Sequence, residues 1–319
     1  MTGFPAIAYA TAAGARSVRE LALAGALEST PELLERFGFD QVRVAENETP
    51  YDLARSAAAA LLGQNDIDPA SIDVLLFGGA PGVIAFAKPA DAPARARDLC
   101  TSRRFEYPAT RLQYELGLEN ATVIGLDQMA CASLFGAVRL ARSLIASEGL
   151  RRVLCVSAEF YPAAAGREAI TNITADAACA VLVDRNASRN RIVGSAAVTK
   201  GFFWSGASLR DEVIASYFPT AVHVIRRTAA DAGWAPSDVD WVMPHNVSAT
   251  SWEILMRLAG LPKARLWDAN IARLGHTLAG DNFINLRDAV DAGDVKAGDK
   301  VLLFTYGYGA HWIGLAVEV

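Results

Sequence analysis

The sequence is poor in the residues from which metal and disulfide sites are built. Only four cysteines (Cys100, Cys131, Cys155, Cys179) and four histidines (His223, His245, His276, His311) occur in 319 residues. The cysteines form no C-x-x-C pair, which argues against a disulfide framework and a zinc site alike. No H-x-x-x-H or carboxylate-rich cluster accompanies the histidines, so a metal is not expected. Positive charge is not in excess either: a net charge of −5 gives no general attraction to nucleic acid or to an anionic membrane. The opening stretch MTGFPAIAYATAAGAR has no positive residue before its apolar part, as a secretory leader would. The charge-free run from Val74 to Ala87 is interrupted by Gly78, Gly79, Pro81 and Gly82. It is also shorter than the roughly 20 residues of a spanning helix. A cytoplasmic protein with no nucleic-acid and no membrane partner is the expectation.

What the chain does have is apolar residues, 52% of the total, and a repeat. The stretch LARSAAAALLGQNDIDPASIDVLLFGGAP reads as an alanine-rich helix, a polar turn and a buried strand, and VHVIRRTAADAGWAPSDVDWVMPHN reads the same way. Pro69 to Asp73 parallels Pro236 to Asp240 at an offset of 167, and Val153-Leu154 parallels Val301-Leu302 at an offset of 148. Two similar α/β units follow, each with a mostly parallel sheet and helical crossovers. The polar segment DRNASRNR divides them, giving an N-terminal half of residues 1–187 and a C-terminal half of residues 188–319. No low-complexity linker intervenes, so the halves are expected to pack as one duplicated body about a pseudo-twofold axis.

The repeat bears on chemistry. Counting back 22 residues from Val153 reaches Cys131, and the same count from Val301 reaches Ala279, three residues from His276. Cys131 and the LGHTLAG turn thus fall at nearly equivalent strand-to-helix corners, where strand ends open onto a cleft. Cys131 precedes ASLFGAVRLARSLIASEG, whose Leu134, Val138, Ala141 and Ile145 are spaced as a helix face. A thiol at a helix start meets free amide N–H groups and a dipole that favour the thiolate. Cys155 and Cys179 sit in apolar strand-like runs and read as core. His245 lies just past a buried strand, before a helix capped by Asn246 or Ser248, and His276 lies in a tight turn. Two imidazoles at strand ends can relay protons or hydrogen-bond a thioester carbonyl. His223 in mid-helix and His311 beside Trp312 read as structural.

The order MACAS, MPHN, LGHTLAG, YGYGAHW resembles the thiolase-fold condensing enzymes, and among them the β-ketoacyl-acyl-carrier-protein synthase III group. The resemblance runs from RFGFDQVRVAENET to residue 319. It implies a duplicated αβαβα fold, a homodimer, and no cofactor beyond an acyl-coenzyme A or acyl-carrier-protein thioester as substrate. By the resemblance Cys131 takes the acyl group and His245 polarises the carbonyl. His276 stands in G-H-T where synthase III has an asparagine in G-N-T, and it resembles the histidine of G-H-x-x-G in the elongating ketosynthases. Gly307 and Gly309 of the YGYG turn would help the Cys131 amide form an oxyanion hole. Arg167 would sit near the nucleotide, Asn246 near substrate, and Phe202, Phe203 and Trp204 would wall an acyl tunnel. Lys88, Arg95, Arg97, Arg103 and Arg104 form a basic segment suited to a phosphopantetheine or carrier protein, and Asp176 reads as structural. Glu32 replaces a tryptophan that stacks on adenine in close relatives, and Thr250 an arginine that faces the carrier protein. The reaction implied is ping-pong: acyl-Cys131 forms, then condenses with a decarboxylating malonyl or a β-ketoacyl thioester, in specialised metabolism. The alternatives are acyl transfer to an alcohol or amine of a small metabolite with His245 as general base, and a silent partner subunit of a heterodimer.

Overall fold

The computed structural model describes residues 1–79, 107–159, 166–170, 172–205 and 208–319. The basic segment of Lys88 to Arg104, with Cys100, lies outside the described residues.

Alternation of apolar residues over two faces builds the centre of the molecule. In β6 (Arg152–Glu159), Val153 and Cys155 join one buried layer while Leu154 and Val156 join another. The strand is therefore apolar throughout, as a strand covered on both faces must be. The same holds for β9 (Ala177–Asp184), whose eight residues are all buried.

Nine strands among the described residues share one hydrogen-bonded array in two halves. The N-terminal half runs β5 (Thr122–Leu126), β4 (Val74–Gly78), β6, β9, β1 (Gly3–Thr11). The C-terminal half runs β10 (Arg191–Thr199), β13 (His311–Glu318), β12 (Lys300–Gly307), β11 (Trp241–Met243). The halves meet where β1 and β10 pair at Gly3 and Arg191. In each half an edge region of parallel strands, β4 with β5 and β6, or β11 with β12, gives way to antiparallel partners. The sheet is mixed, which corrects the mostly parallel sheet read from the sequence. Part of the reason lies in connection length: only residues 308–310 separate β12 from β13, too few for a parallel crossover.

Helices complete five layers. The helix Pro50–Gln64 covers the outer face of the N-terminal sheet, burying Ala54, Ala57, Ala58 and Leu61 against it. The helices Arg210–Asp231 and Ala249–Ala259 cover the outer face of the C-terminal sheet. Between the sheets lie Ser133–Glu148 and Asp281–Asp291, whose Phe135 and Phe283 rings meet at 5.1 Å. Cys155 and Cys179 lie in this middle layer, fully buried, where burial pushes both thiols well above their ordinary range.

The offset of 148 is visible in three dimensions. The 3-10 turn Ala130–Ala132 leads into the helix at Ser133, and the 3-10 turn Leu278–Gly280 leads into the helix at Asp281. Both turns begin on a non-glycine residue in the left-handed region, Ala130 at φ 44° and Leu278 at φ 59°. Such backbone costs on the order of 1–3 kcal/mol and persists only where the surroundings enforce it.

Candidate active site

Cys131 is the second residue of its turn, half-buried, and opens onto a cavity of about 340 Å³. The turn is braced from the C-terminal half. Thr305 Oγ1 donates to the Cys131 carbonyl at 3.4 Å, and His311 Nε2 donates to the Gln128 carbonyl at 2.9 Å. Thr199 Oγ1 lies 2.9 Å from His311 Nδ1, so this histidine ties strand to turn. Gly307 packs flat against the turn: a Cβ there would run into the Met129 carbonyl oxygen and lie 2.9 Å from the Ala132 nitrogen. Gly309 has φ 124°, which a side chain would strain.

His276 reaches the Cys131 sulfur from the equivalent corner. Its Nε2 is 3.5 Å from the Cys131 sulfur. Its backbone is pinned by His276 N–H to the Ile173 carbonyl and Ala175 N–H to the His276 carbonyl, both at 2.9 Å. Behind the ring, Nδ1 lies 2.5 Å from Asp281 Oδ2. Asp281 has 0% exposure, and its carboxylate accepts three further bonds of 2.6 Å, from Asn246 N–H, Thr277 N–H and Thr277 Oγ1–H. Burial disfavours the His276 imidazolium, but the charge and hydrogen bond of Asp281 outweigh it, with the Cys131 sulfur adding to them. The ring's pKa is raised to about 10. An imidazolium so close to sulfur sets a positive charge beside the Cys131 side chain.

His245 faces the same cavity with its ring centroid 6.3 Å from that of His276. Its carbonyl accepts from Trp252 Nε1 at 2.9 Å, and the Tyr217 hydroxyl stands 3.4 Å from its Nε2. Burial and then the neighbouring charge of His276 push His245 down to about 3, so it is neutral at physiological pH. One buried histidine is thus held charged and its neighbour uncharged, a division of acid and base set by environment alone.

These two shifts act on stability from opposite sides. His276 has a folded pKa above its unfolded value of about 6.5, so its contribution is complete below pH 6.5 and is lost as pH rises towards 10. His245 has a depressed folded pKa, so its contribution is complete above pH 6.5 and is lost as pH falls towards 3. Each limb is worth up to about 1.4 kcal/mol per pH unit. A melting temperature that peaks near pH 6.5 is expected, with the acid limb flattened in His245→Gln. An unchanged acid limb in that variant would refute the assignment to His245.

The other residues singled out in the sequence are placed differently. Arg167 is 3% exposed and bound in a bidentate pair to Asp176, with bonds of 2.7 and 2.9 Å. It is absent from the cavity wall, and Asp176 has the structural role read for it. Asn246 is buried as scaffold: its side chain donates to the Gly275 carbonyl and accepts from Asn285, at 2.9 and 2.8 Å. Phe202 and Trp204 are 67% and 80% exposed, while Phe203 is 7% exposed and packs in the outer core beside Trp312. None of the three lines the cavity. His223 is exposed in mid-helix.

The sequence reading passed over Asp281, Tyr217, Tyr306 and Arg210. The two tyrosine rings meet at 5.5 Å in the cavity wall, and burial pushes both hydroxyls upward, so they remain hydrogen-bond donors. Arg210, exposed, lines the same cavity. Among the described residues no group of three His, Cys, Asp or Glu side chains could hold a metal ion.

A duplicated five-layer α/β body with a cysteine at one corner and a histidine at its mate defines a thiolase-type fold, and solved structures of that type superpose on it. The 3-oxoacyl-[acyl-carrier-protein] synthase III of Aquifex aeolicus matches with a TM-score of 0.83 and 21% identity, covering 100% of both chains. Family models described as 3-oxoacyl-[acyl-carrier-protein] synthase III and its C-terminal part match residues 127–201 and 229–319. Curated β-ketoacyl-[acyl-carrier-protein] synthases III align with nearly the whole chain. That of Aquifex aeolicus is 25% identical over 294 residues, 87% of this chain and 86% of its own. That of Rhodobacter capsulatus is 27% identical over 325 residues, 93% of each. The chain belongs to the synthase III-like thiolase-fold enzymes, a family of acyl-transferring condensing enzymes.

Proposed function

We propose that this chain moves an acyl group from a coenzyme A or carrier-protein thioester through acyl-Cys131, by a ping-pong mechanism, to a second substrate in specialised metabolism. The carrying observation is the Cys131 sulfur at 3.5 Å from His276 Nε2 in a cavity that His245 also faces. In the first half-reaction the Cys131 sulfur attacks the thioester carbon. The carbon–sulfur bond to the donor breaks, and the His276 Nε2 proton leaves with the donor thiol. Gly307 and Gly309 fix the turn that presents the Cys131 amide to the oxyanion. In the second half-reaction a malonyl thioester loses CO2, its carbanion attacks the acyl carbon, and the Cys131 thiolate is expelled. His276 then recovers its proton from solvent. Glu32, in an ion pair with Arg19 at 3.8 Å, and Thr250, which donates to the Arg36 carbonyl, stand in place of family contacts to the donor. Those replacements support a role outside fatty acid initiation.

The carboxylate behind His276 favours a second reading. Once His276 has given up its Nε2 proton, Asp281 still holds Nδ1, and the free Nε2 is a base for an alcohol or amine acceptor. The two readings differ in proton balance. Condensation releases one CO2 and takes up one proton per product, whereas transfer to an alcohol or amine does neither. Turnover of acyl-loaded enzyme with a malonyl thioester, followed by CO2 capture and a pH-stat, is expected to give both signals at 1:1. Product without CO2 would establish the second reading, and no product from any acceptor would remove both.

A further inference from the structure

We propose that the cavity takes an aliphatic hydroxy acid as acceptor, entering hydroxyl first, and that Arg210 at the rim holds its trailing carboxylate. The inference rests on the second reading above, transfer to an alcohol or amine, and names the chemistry of the acceptor.

Three observations carry it. First, one face of the helix Arg210–Asp231 forms a wall of the cavity: Arg210, Val213, Ile214, Tyr217 and Phe218 all line it, at the spacing of a single helical stripe. The stripe has a direction. Its inner end is Tyr217, whose hydroxyl stands 3.4 Å from His245 Nε2, and its outer end is Arg210, which is exposed. At 1.5 Å of rise per residue, Arg210 is set about 10 Å along the helix axis from Tyr217. Second, the charge at the rim is unanswered. No aspartate or glutamate lines the cavity, and among the described residues no hydrogen bond or ion pair engages the Arg210 side chain. Asp211 and Glu212 follow it in the chain, but neither is in the wall. A guanidinium is always charged, and its planar fork matches a carboxylate through two parallel bonds. Third, the stretch between the two polar ends is hydrocarbon. Val213 is buried there, and Ile214 is left 45% exposed one helical turn from Arg210.

A molecule that matches this stripe has a reactive group at one end, methylenes in the middle and an anion at the other end. A thioester donor reacts at a carbonyl in its interior, with the acyl tail on one side and the pantetheine arm on the other. That arm also ends in an anion, its phosphate, but two amides and a branched carbon come before it, more chain than a span of about 10 Å holds extended. A carboxylate on the acceptor fits the span. A hydroxyl suits the inner end better than an amine, because a protonated amine would bring a second positive charge towards His276.

The test needs no acyl donor. Occupancy is read as protection of Cys131 from iodoacetamide, followed at the Cys131 peptide by mass spectrometry, in wild type, Arg210→Gln and Arg210→Lys, with a thermal melt of each. The probes are 4-hydroxybutanoate, 6-hydroxyhexanoate and 8-hydroxyoctanoate, each beside the 1-alkanol of the same carbon count. In wild type the hydroxy acid is expected to half-protect at a concentration about tenfold below its alkanol, with the preference greatest for the two longer chains. Arg210→Gln is expected to bring the preference down to about one, and Arg210→Lys, which keeps a point charge without the fork, to about a third of the wild-type value. Equal protection by acid and alkanol in wild type overturns the proposal, and so does a preference that survives in folded Arg210→Gln. If Arg210→Gln does not fold, an undiminished preference in Arg210→Lys overturns it equally. Pantetheine and 4′-phosphopantetheine, run in the same way, separate the two sources of an anion. An Arg210-dependent preference for the phosphorylated arm, with none for the hydroxy acids, would assign Arg210 to the donor and overturn the proposal. The outcome is independent of the proposed activity: Arg210-dependent protection in a protein that no thioester loads would keep the carboxylate site and remove the acyl transfer. Loading without a preference for hydroxy acids would do the reverse.

Discussion

Cys131→Ala is expected to abolish the mass gain that the wild-type protein shows after incubation with acyl-coenzyme A thioesters, with a loss of at least about 10⁴-fold in loading rate. The size follows from chemistry. Of the thiols the structure describes, Cys155 and Cys179 are fully buried and their pKa is pushed up, so neither can substitute. Among the described residues no other thiol or hydroxyl stands 3.5 Å from the His276 ring in the cavity. Intact-protein mass spectrometry reads the result in one experiment, because one acyl group adds a defined mass. Cys131 is only half-buried, so replacing it removes little packing and the variant is expected to fold. Loading that persists in Cys131→Ala would move the nucleophile elsewhere and remove the proposed mechanism. Loading of the wild type by carrier-protein thioesters alone would keep the nucleophile and change only the donor.

The second large effect is expected from a residue with no side chain. Gly307→Ala places a methyl where the Met129 carbonyl oxygen stands, two residues ahead of the nucleophile. Neither neighbour can step aside cheaply. Gly307 closes β12, paired with His311 across the hairpin, and the Met129 carbonyl accepts the Ala132 N–H at 3.0 Å in the turn itself. The turn must retreat from the strand, taking the Cys131 sulfur and amide with it. A displacement of about 1 Å from attack geometry costs on the order of 100-fold, and a misplaced oxyanion donor another 10–1,000-fold. Gly307→Ala is therefore expected to slow acyl-enzyme formation by about 10³-fold or more, while overpacking lowers stability by only about 1–3 kcal/mol. The time course of acyl-enzyme mass, set beside a denaturation curve, separates the two. Loading at the wild-type rate would show that β12 does not hold the nucleophile turn.

Much of the architecture was legible because duplication writes itself into spacing. The offset of 167 recovers β4 and β11, and the offset of 148 recovers β6 and β12 together with both corner turns. Cys131 and His276 could be put near each other on that ground before any contact was known. Asp281 could not be, since an acid in the first position of a helix is ordinary helix chemistry. It acquires its partner only when Leu278 takes a left-handed conformation and folds Thr277 and Asp281 back onto His276. Comparing Ser133 with Asp281 across the repeat was the signal that could have marked it. Arg167 shows the opposite case: the family resemblance implies a place near the nucleotide, but Asp176, nine residues on, holds both of its terminal nitrogens in the interior. The FFW run was read as one wall, but the 3-10 turn Gly201–Phe203 sends only Phe203 inward. Antiparallel partners for β1 and β10 were equally hidden, because a strand buried on both faces carries no mark of its neighbour's direction.

The bracing of the nucleophile turn by Thr305, Gly307 and His311 has a consequence in time as well as space. The hydroxyl that holds the Cys131 carbonyl is 174 residues downstream of it, and the imidazole beside the sulfur is 145 residues downstream. Contacts of such separation form late, after the loop between them has been closed. While the chain emerges from the ribosome, the thiol is therefore present for most of synthesis without its imidazole neighbour and without the strand that shapes its turn. The imidazole and the bracing strand reach the sulfur only with the docking of the second half.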